Sequence, residues 1–131
     1  MWRMTTMEIS FPGGKRVDCG FDGFTVQTDQ SRDHGGEGSA PEPFSLFLAS
    51  LATCAGIYVL GFCQARSIPT EGLRLVQESV SENGRLKSVR LVITLPPNFP
   101  EKYVGSVKAA AAGCRVKKTM FDPPEVSIET A

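Results

Sequence analysis

Four cysteines, at positions 19, 54, 63 and 114, are the side chains of this chain best able to do covalent chemistry. A thiol can be a nucleophile, half of a disulfide, a metal ligand or a small buried hydrophobe. Cys54 stands in the middle of the most apolar run, PFSLFLASLATCAGIYVLGFC, residues 43–63. Cys63 follows it by nine residues, which on a helix turns it about 180° away, so these two cannot pair within one helix. Cys114 is set differently. It follows Gly113 at a break between two helical segments, with Arg115, Lys117 and Lys118 just beyond. If RVKKTM is helical, the thiol stands at its N-terminus, where free N–H groups and nearby cations favour a thiolate. Cys19 and Cys63 read as structural, and by its immediate neighbours Cys54 does too. The four positions form no CxxC pair, so neither a metal nor another cofactor is expected.

The elements that must position these thiols can be traced along the chain. MTTMEISF, the turn Pro12-Gly13-Gly14 and KRVDC suggest a hairpin, and FTVQT over 24–28 adds a third short strand. Residues 29–43, DQSRDHGGEGSAPEP, have no periodicity, and a loop of that length is a candidate functional loop. It holds His34, the one histidine, which could assist a thiolate near neutral pH or simply be exposed.

From Pro43, the residues Phe44, Phe47, Leu48, Leu51, Ala55, Tyr58 and Phe62 recur at helical spacing, and Ile68-Pro69 stops the pattern after about Arg66. The helix is apolar nearly all round, so burial on several sides is expected, in the domain centre or a subunit interface. Leu73–Val80, the turn Glu82-Asn83-Gly84 and an alternating strand through Val89, Leu91, Ile93 and Leu95 form a second hairpin. A helix from about Pro100 to Ala112 ends at Gly113, a short RVKKTM helix follows, and VSIET reads as a last strand. This order implies one α+β domain over 1–131 rather than βαβ units.

Charge narrows the function classes. Fourteen basic and fourteen acidic residues balance, which removes the usual reason to expect nucleic acid or an anionic membrane as partner. The stretch 44–63 is long enough to raise the question of a membrane span, but Ser45, Ser50, Thr53 and two glycines interrupt it. It reads as a buried helix of a soluble protein, with no membrane partner. The start of the chain has no export signal pattern, so a cytoplasmic location with reduced thiols is expected.

PFSLFLASLATC, with a second cysteine sixty residues on in AAGCRVKKT, resembles the OsmC/Ohr family of osmotically induced and organic-hydroperoxide-resistance proteins, and more its OsmC-like branch than Ohr itself. The resemblance runs from FPGG through GGEGSAPEPF to the closing strand. It implies an OsmC-like fold: antiparallel sheets with a long central buried helix, in an intertwined homodimer with two interface active sites. It assigns Cys54 as peroxidatic nucleophile and Cys114 as the thiol that resolves it. Phe44, Phe47, Leu51 and Tyr58 would then form an apolar pocket for an organic hydroperoxide, and an external dithiol would restore the thiols.

The family's peroxidases activate the thiol with an arginine held by a glutamate just after the loop proline. Here that position falls on Phe44 or Ser45, while Glu42 stands before Pro43. The arginines to consider are Arg16 and Arg32, each of which also reads as a solvated charge. Two functions therefore stay open: a thiol-dependent peroxidase, and a non-catalytic dimer whose pocket binds a small apolar or thiol-reactive ligand.

Overall fold

The structure is a computed structural model and describes residues 2–131. Two compact units make it up, one reaching to Leu48 and the other spanning Ala49–Ala131.

The first unit is a meander followed by the long loop. Strands β1 (Glu8–Gly13), β2 (Arg16–Phe21) and β3 (Phe24–Thr28) are antiparallel in the order β1-β2-β3. Between β2 and β3 the chain reverses over Asp22 and Gly23, at φ 51° and 80°. Asp-Gly is a favoured pair for such a two-residue turn because both residues must adopt positive φ. The first reversal falls at Gly14 and Lys15, not on Pro12-Gly13-Gly14, since β1 continues until Gly13 pairs with Arg16. Pro12 thus lies in an edge strand, where a missing N–H is tolerated. The strand begins at Glu8 rather than Met4. Glu8 already pairs with Gly20 near the end of β2, and the residues before it have run past their partner.

The helix α1 (Pro43–Ala65) opens on a proline and carries no charged side chain. By length and composition it could cross a membrane. In the second unit its Leu51, Ala55, Val59 and Phe62 are buried instead, spaced four, four and three residues apart. They form one cluster with Val107, Ala111 and Cys114, and Leu75, Val89, Leu91 and Ile93 pack against it. Only one face is covered in this way. Ile57 is 59% and Tyr58 42% exposed, so the chain alone does not supply the burial on several sides that the apolar run suggests.

The strands opposite α1 are β4 (Arg74–Glu82) and β5 (Arg85–Thr94), an antiparallel pair turning at Asn83-Gly84 with φ 53° and 75°. Leu75 faces Ile93 and Gln77 faces Leu91. Near the turn the register slips: Val80 pairs with Ser88 and Ser81 with Leu86. Lys87 is therefore an extra residue, a β-bulge.

The helix expected from about Pro100 opens as a 3-10 turn over Glu101–Tyr103 and becomes α2 (Val104–Ala112). Gly113 ends it at φ −88°, outside the left-handed region, with its N–H shared between the carbonyls of Ala109 and Ala110. Then comes α3 (Arg115–Phe121), with Cys114 as the residue that caps its start. Beyond α1, Arg66 makes a clamp that its sequence gives no sign of. Its guanidinium lies 3.7 Å from the Phe62 ring centre and 5.3 Å from that of Tyr103, and Nη1 donates to the Phe62 carbonyl at 3.2 Å.

The strand expected at VSIET does not form. Residues 123–131 are exposed and pair with no strand among the described residues, with Val126 78% and Ile128 92% exposed. Strand propensity without a ladder partner leaves the backbone to water.

Two substitutions check this packing by urea denaturation. Val107→Ala, in a position with no exposed surface, should cost about 2 kcal/mol. Arg66→Ala should cost about 1 kcal/mol through the lost ring contacts and capping bond.

Candidate functional site

The loop after β3 is built around two carboxylates. Asp29 is 1% exposed. Its Oδ2 accepts the Ser39 hydroxyl at 2.6 Å and the Ser39 N–H at 3.1 Å, and its Oδ1 accepts the Gln30 N–H at 2.7 Å. The loop closes on this group so tightly that residue 36 has to be glycine. A Cβ there would collide with the Gln30 carbonyl oxygen and come within 2.7 Å of Asp29 Oδ1. The second carboxylate, Glu42, accepts the Ser31 N–H at 2.9 Å and lies 2.6 Å from His34 Nδ1. Both are held well down. Hydrogen bonds from Ser39, its hydroxyl foremost, bring Asp29 from 3.8 to about 2. The Ser31 N–H, then His34, brings Glu42 from 4.5 to about 2.

The thiols belong to the second unit, where Cys54 follows Leu51 by three residues on α1. It is half-buried and packs against the core cluster. Cys114 is itself a member of that cluster and only 1% exposed. A cavity of about 510 Å³ opens beside Cys114, lined by Leu51 and Ala55 of α1, the bulged end of β5, Ala111 and Ala112 of α2, Cys114, and Met120 and Phe121 of α3; Cys54 does not line it. That volume lies within the range of about 300–1,000 Å³ typical of small-molecule sites. All four cysteines are free. Cys63 is fully buried near the end of α1, and Cys19 is half-buried in β2 between Ile9 and Val26.

The other expected site residues divide unevenly. Of the four proposed pocket residues, Leu51 alone lines this cavity. Phe44 and Phe47 stack on each other instead, ring centres 5.5 Å apart, and Phe44 is 50% exposed. Tyr58, one turn beyond Ala55, does not line it and is 42% exposed. Glu42 and His34 do come together, as a loop tether. Arg16 and Arg32 are exposed, and neither joins an ion pair among the described residues. Nor do three His, Cys, Asp or Glu side chains cluster as metal ligands would among those residues. The sequence reading missed the lysines at the cavity, Lys87, Lys108 and Lys117. Lys87 lies on the same alternating face of β5 as Val89, Leu91 and Ile93, and the bulge adds Leu86 to it. The arrangement offers two unpaired thiols at one apolar core, of which Cys114 lines an opening large enough for an organic substrate.

The profile of the OsmC-like protein family matches residues 36–129. The chain belongs to the OsmC-like family. The match takes in the second half of the loop, α1 with Cys54, and the α2–α3 break with Cys114. A search of curated proteins returns no match. Among solved structures, a protein of Psychrobacter arcticus named for osmotic stress induction and a detoxification response superposes with TM-score 0.74 at 23% identity, covering 91% of this chain and 90% of its own. An OsmC-like protein of Mycoplasma pneumoniae gives 0.74 at 15% identity, covering 94% and 91%. An organic hydroperoxide resistance protein OsmC of Legionella pneumophila gives 0.58 at 20% identity, covering 92% and 90%. At these identities the likeness establishes the fold. The α+β, OsmC-like architecture expected from the sequence is the one found, with two antiparallel sheets.

In this OsmC-like chain the loop carboxylates make a testable pH dependence. Their folded pKa values lie below the unfolded ones, so the stability they contribute is present above the unfolded values and lost as pH falls toward about 2. Denaturation midpoints measured from pH about 5 to about 2 should fall steeply. Asp29→Asn combined with Glu42→Gln should lower stability at neutral pH and flatten that slope. An unchanged slope would assign acid sensitivity to other groups.

Proposed function

We propose that the protein is a thiol-dependent peroxidase of organic hydroperoxides, acting through Cys54 and Cys114 as a homodimer in oxidative stress defence. The observation that carries this reading is the pair of free thiols at one apolar core, Cys54 against it and Cys114 within it, with Cys114 also lining a 510 Å³ cavity. Family membership supports it, as does the Legionella relative named for organic hydroperoxide resistance.

The Cys54 thiolate attacks the distal oxygen of ROOH. The O–O bond breaks, ROH leaves with a proton, and Cys54 becomes a sulfenic acid. The Cys114 thiol displaces water from that sulfur to form a disulfide, and an external dithiol reduces it by exchange. This second step requires the two Cα atoms to come within about 7 Å. Exposure favours this order of roles: Cys54 is half-buried, whereas Cys114 is 1% exposed and suited to a second, internal step.

The dimer is part of the proposal. Phe44, Ile57 and Tyr58 on α1 and Val126 and Ile128 near the C-terminus are all uncovered within the chain. A second subunit laid over α1, with the C-terminal segment paired on its sheet, would cover them. Sedimentation should show a dimer with no folded monomer at micromolar concentration.

One observation favours the second reading, a non-catalytic dimer that binds a small apolar or thiol-reactive ligand. Glu42, the carboxylate nearest the place where the family's peroxidases hold their arginine, holds Ser31 and His34 here.

Peroxide consumption with a dithiol and cumene hydroperoxide separates the two, with mass spectrometry after one equivalent of peroxide. The parent should turn over and Cys54→Ser should be inactive. Cys114→Ser should trap a sulfenic acid on Cys54 and then stall. Sulfenic acid on Cys114 in the Cys54→Ser protein would reverse the roles. No oxidation of the parent would leave the binding reading.

A further inference from the structure

The short helix α3 is tied to the rest of the second unit at one end only. None of its seven residues is buried. Its side-chain hydrogen bond and its ring contact among the described residues are both internal. The Thr119 hydroxyl donates to the Arg115 carbonyl at 2.8 Å, and the Lys117 ammonium lies 5.8 Å from the Phe121 ring centre. The ion pairs among those residues, His34–Glu42 and Arg90–Glu78, do not involve α3. What holds it is its start, where Cys114 sits in the core and Val116 packs against the same cluster. At the far end Phe121 is 78% exposed, and Pro123-Pro124 lead into the exposed last residues.

The cavity accounts for this one-sided attachment. Lys117, Met120 and Phe121 line one part of it, and Leu86, Val89 and Leu91 of β5 line another. Unfilled space therefore lies where side chains would otherwise fix α3 against the hairpin. Protein interiors leave few voids larger than a water molecule, and a helix of seven residues is marginal without tertiary packing. A cavity of about 150 Å³ already takes a benzene ring. This one, at about 510 Å³, has room for the Met120 and Phe121 side chains together. The junction before α3 is short: Gly113 ends α2 at φ −88°, and Cys114 is extended at φ −65° and ψ 149°. A few residues at the end of an element are where hinge motions are absorbed, and glycine has the widest range of backbone angles.

We propose that α3 is a lid over the cavity. It swings about Gly113 and Cys114 until Met120 and Phe121 enter the opening and meet Leu86, Leu91 and Ile93 of β5. The position in the structure is the open one. In the closed one, two exposed apolar side chains are buried and the opening that Cys114 lines is shut to water. Burial of that apolar surface drives closure, and anything that occupies the cavity holds the lid open. Closure needs neither peroxide nor a second thiol, so the inference stands apart from the peroxidase reading.

Two measurements test it, and the lid requires both results. The first is the rate at which iodoacetamide alkylates Cys114 in the reduced protein, followed peptide by peptide by mass spectrometry. A side chain as exposed as Phe121 shields a thiol that is 1% exposed only if it visits the cavity. Phe121→Ala should therefore speed alkylation of Cys114 several-fold, while the fully buried Cys63 keeps its parent rate. An unchanged rate at Cys114 overturns the proposal, and so does an equal rise at Cys63, which would report general loosening. The second measurement moves the chain's one tryptophan to the lid, by Trp2→Phe with Phe121→Trp. The introduced indole should emit to the blue and be shielded from acrylamide. Adding Ala112→Leu, which fills the cavity from an exposed position on α2, should return the emission to the red. Emission already that of an indole in water overturns the lid. Shielding that Ala112→Leu leaves unchanged overturns it too, and assigns the cover to a second copy of the chain. Lid closure without peroxide turnover would support the inference and reject the peroxidase reading. Turnover with an exposed, insensitive indole would do the reverse.

Discussion

A helix of 23 residues with no charged side chain has no face that water solvates well, and the second unit is arranged around that constraint. Burying apolar surface is favourable by roughly 25 cal/mol per Å², so the Leu51–Ala55–Val59–Phe62 face has to meet other apolar surface. The hairpin β4–β5 supplies one wall and α2 the other, with Val107 and Ala111 as the closest-packed residues. Where the facing residues are alanines, at Ala55, Ala111 and Ala112, side chains no longer fill the gap. The cavity is the unfilled end of the same interface that holds the unit together. Site and core are therefore one piece of packing, and a substitution that enlarges an alanine there trades binding volume for stability.

The same packing differentiates the two thiols of interest. Cys114 lies where α2 gives way to α3, at a point the core encloses, and its carbonyl accepts the Lys118 N–H that starts α3. Cys54 lies on the flank of α1, between the buried stripe and the uncovered side. Two cysteines of similar intrinsic chemistry thus differ in access, and access is what sequential roles in a two-thiol reaction require.

What could be read from the residues alone follows the range of the interactions. Hairpin turns and helix periodicity are local, so Asn83-Gly84, the α1 stripe and the break at Gly113–Cys114 were legible and stand as expected. Asp22-Gly23 carried as strong a turn signal as Asn83-Gly84. Features set by distant partners were not legible. The Arg66 clamp needs Tyr103, the bulge at Lys87 needs the register of β4, and VSIET has strand composition but no strand to pair with among the described residues. Which apolar residues line the cavity within one chain was not legible for a related reason. Phe44, Phe47 and Tyr58 are apolar at helical spacing, but spacing says which residues share a helix face and not which part of that face another element covers.

Every strand here pairs only with its neighbour along the chain. Two of the three connections reverse in pairs of residues whose positive φ fits a tight hairpin, Asp22-Gly23 and Asn83-Gly84. Closing such short loops forfeits little chain entropy, and isolated hairpins form in about 1–10 μs. The contacts that complete the core are the distant ones, since Val59 must find Val107 across the whole β4–β5 hairpin. Folding speed follows the sequence separation of the contacts that have to be made. In this protein the sheets are therefore the fast part, and the rate of reaching the native state is governed by docking α1 and α2 onto a hairpin already formed.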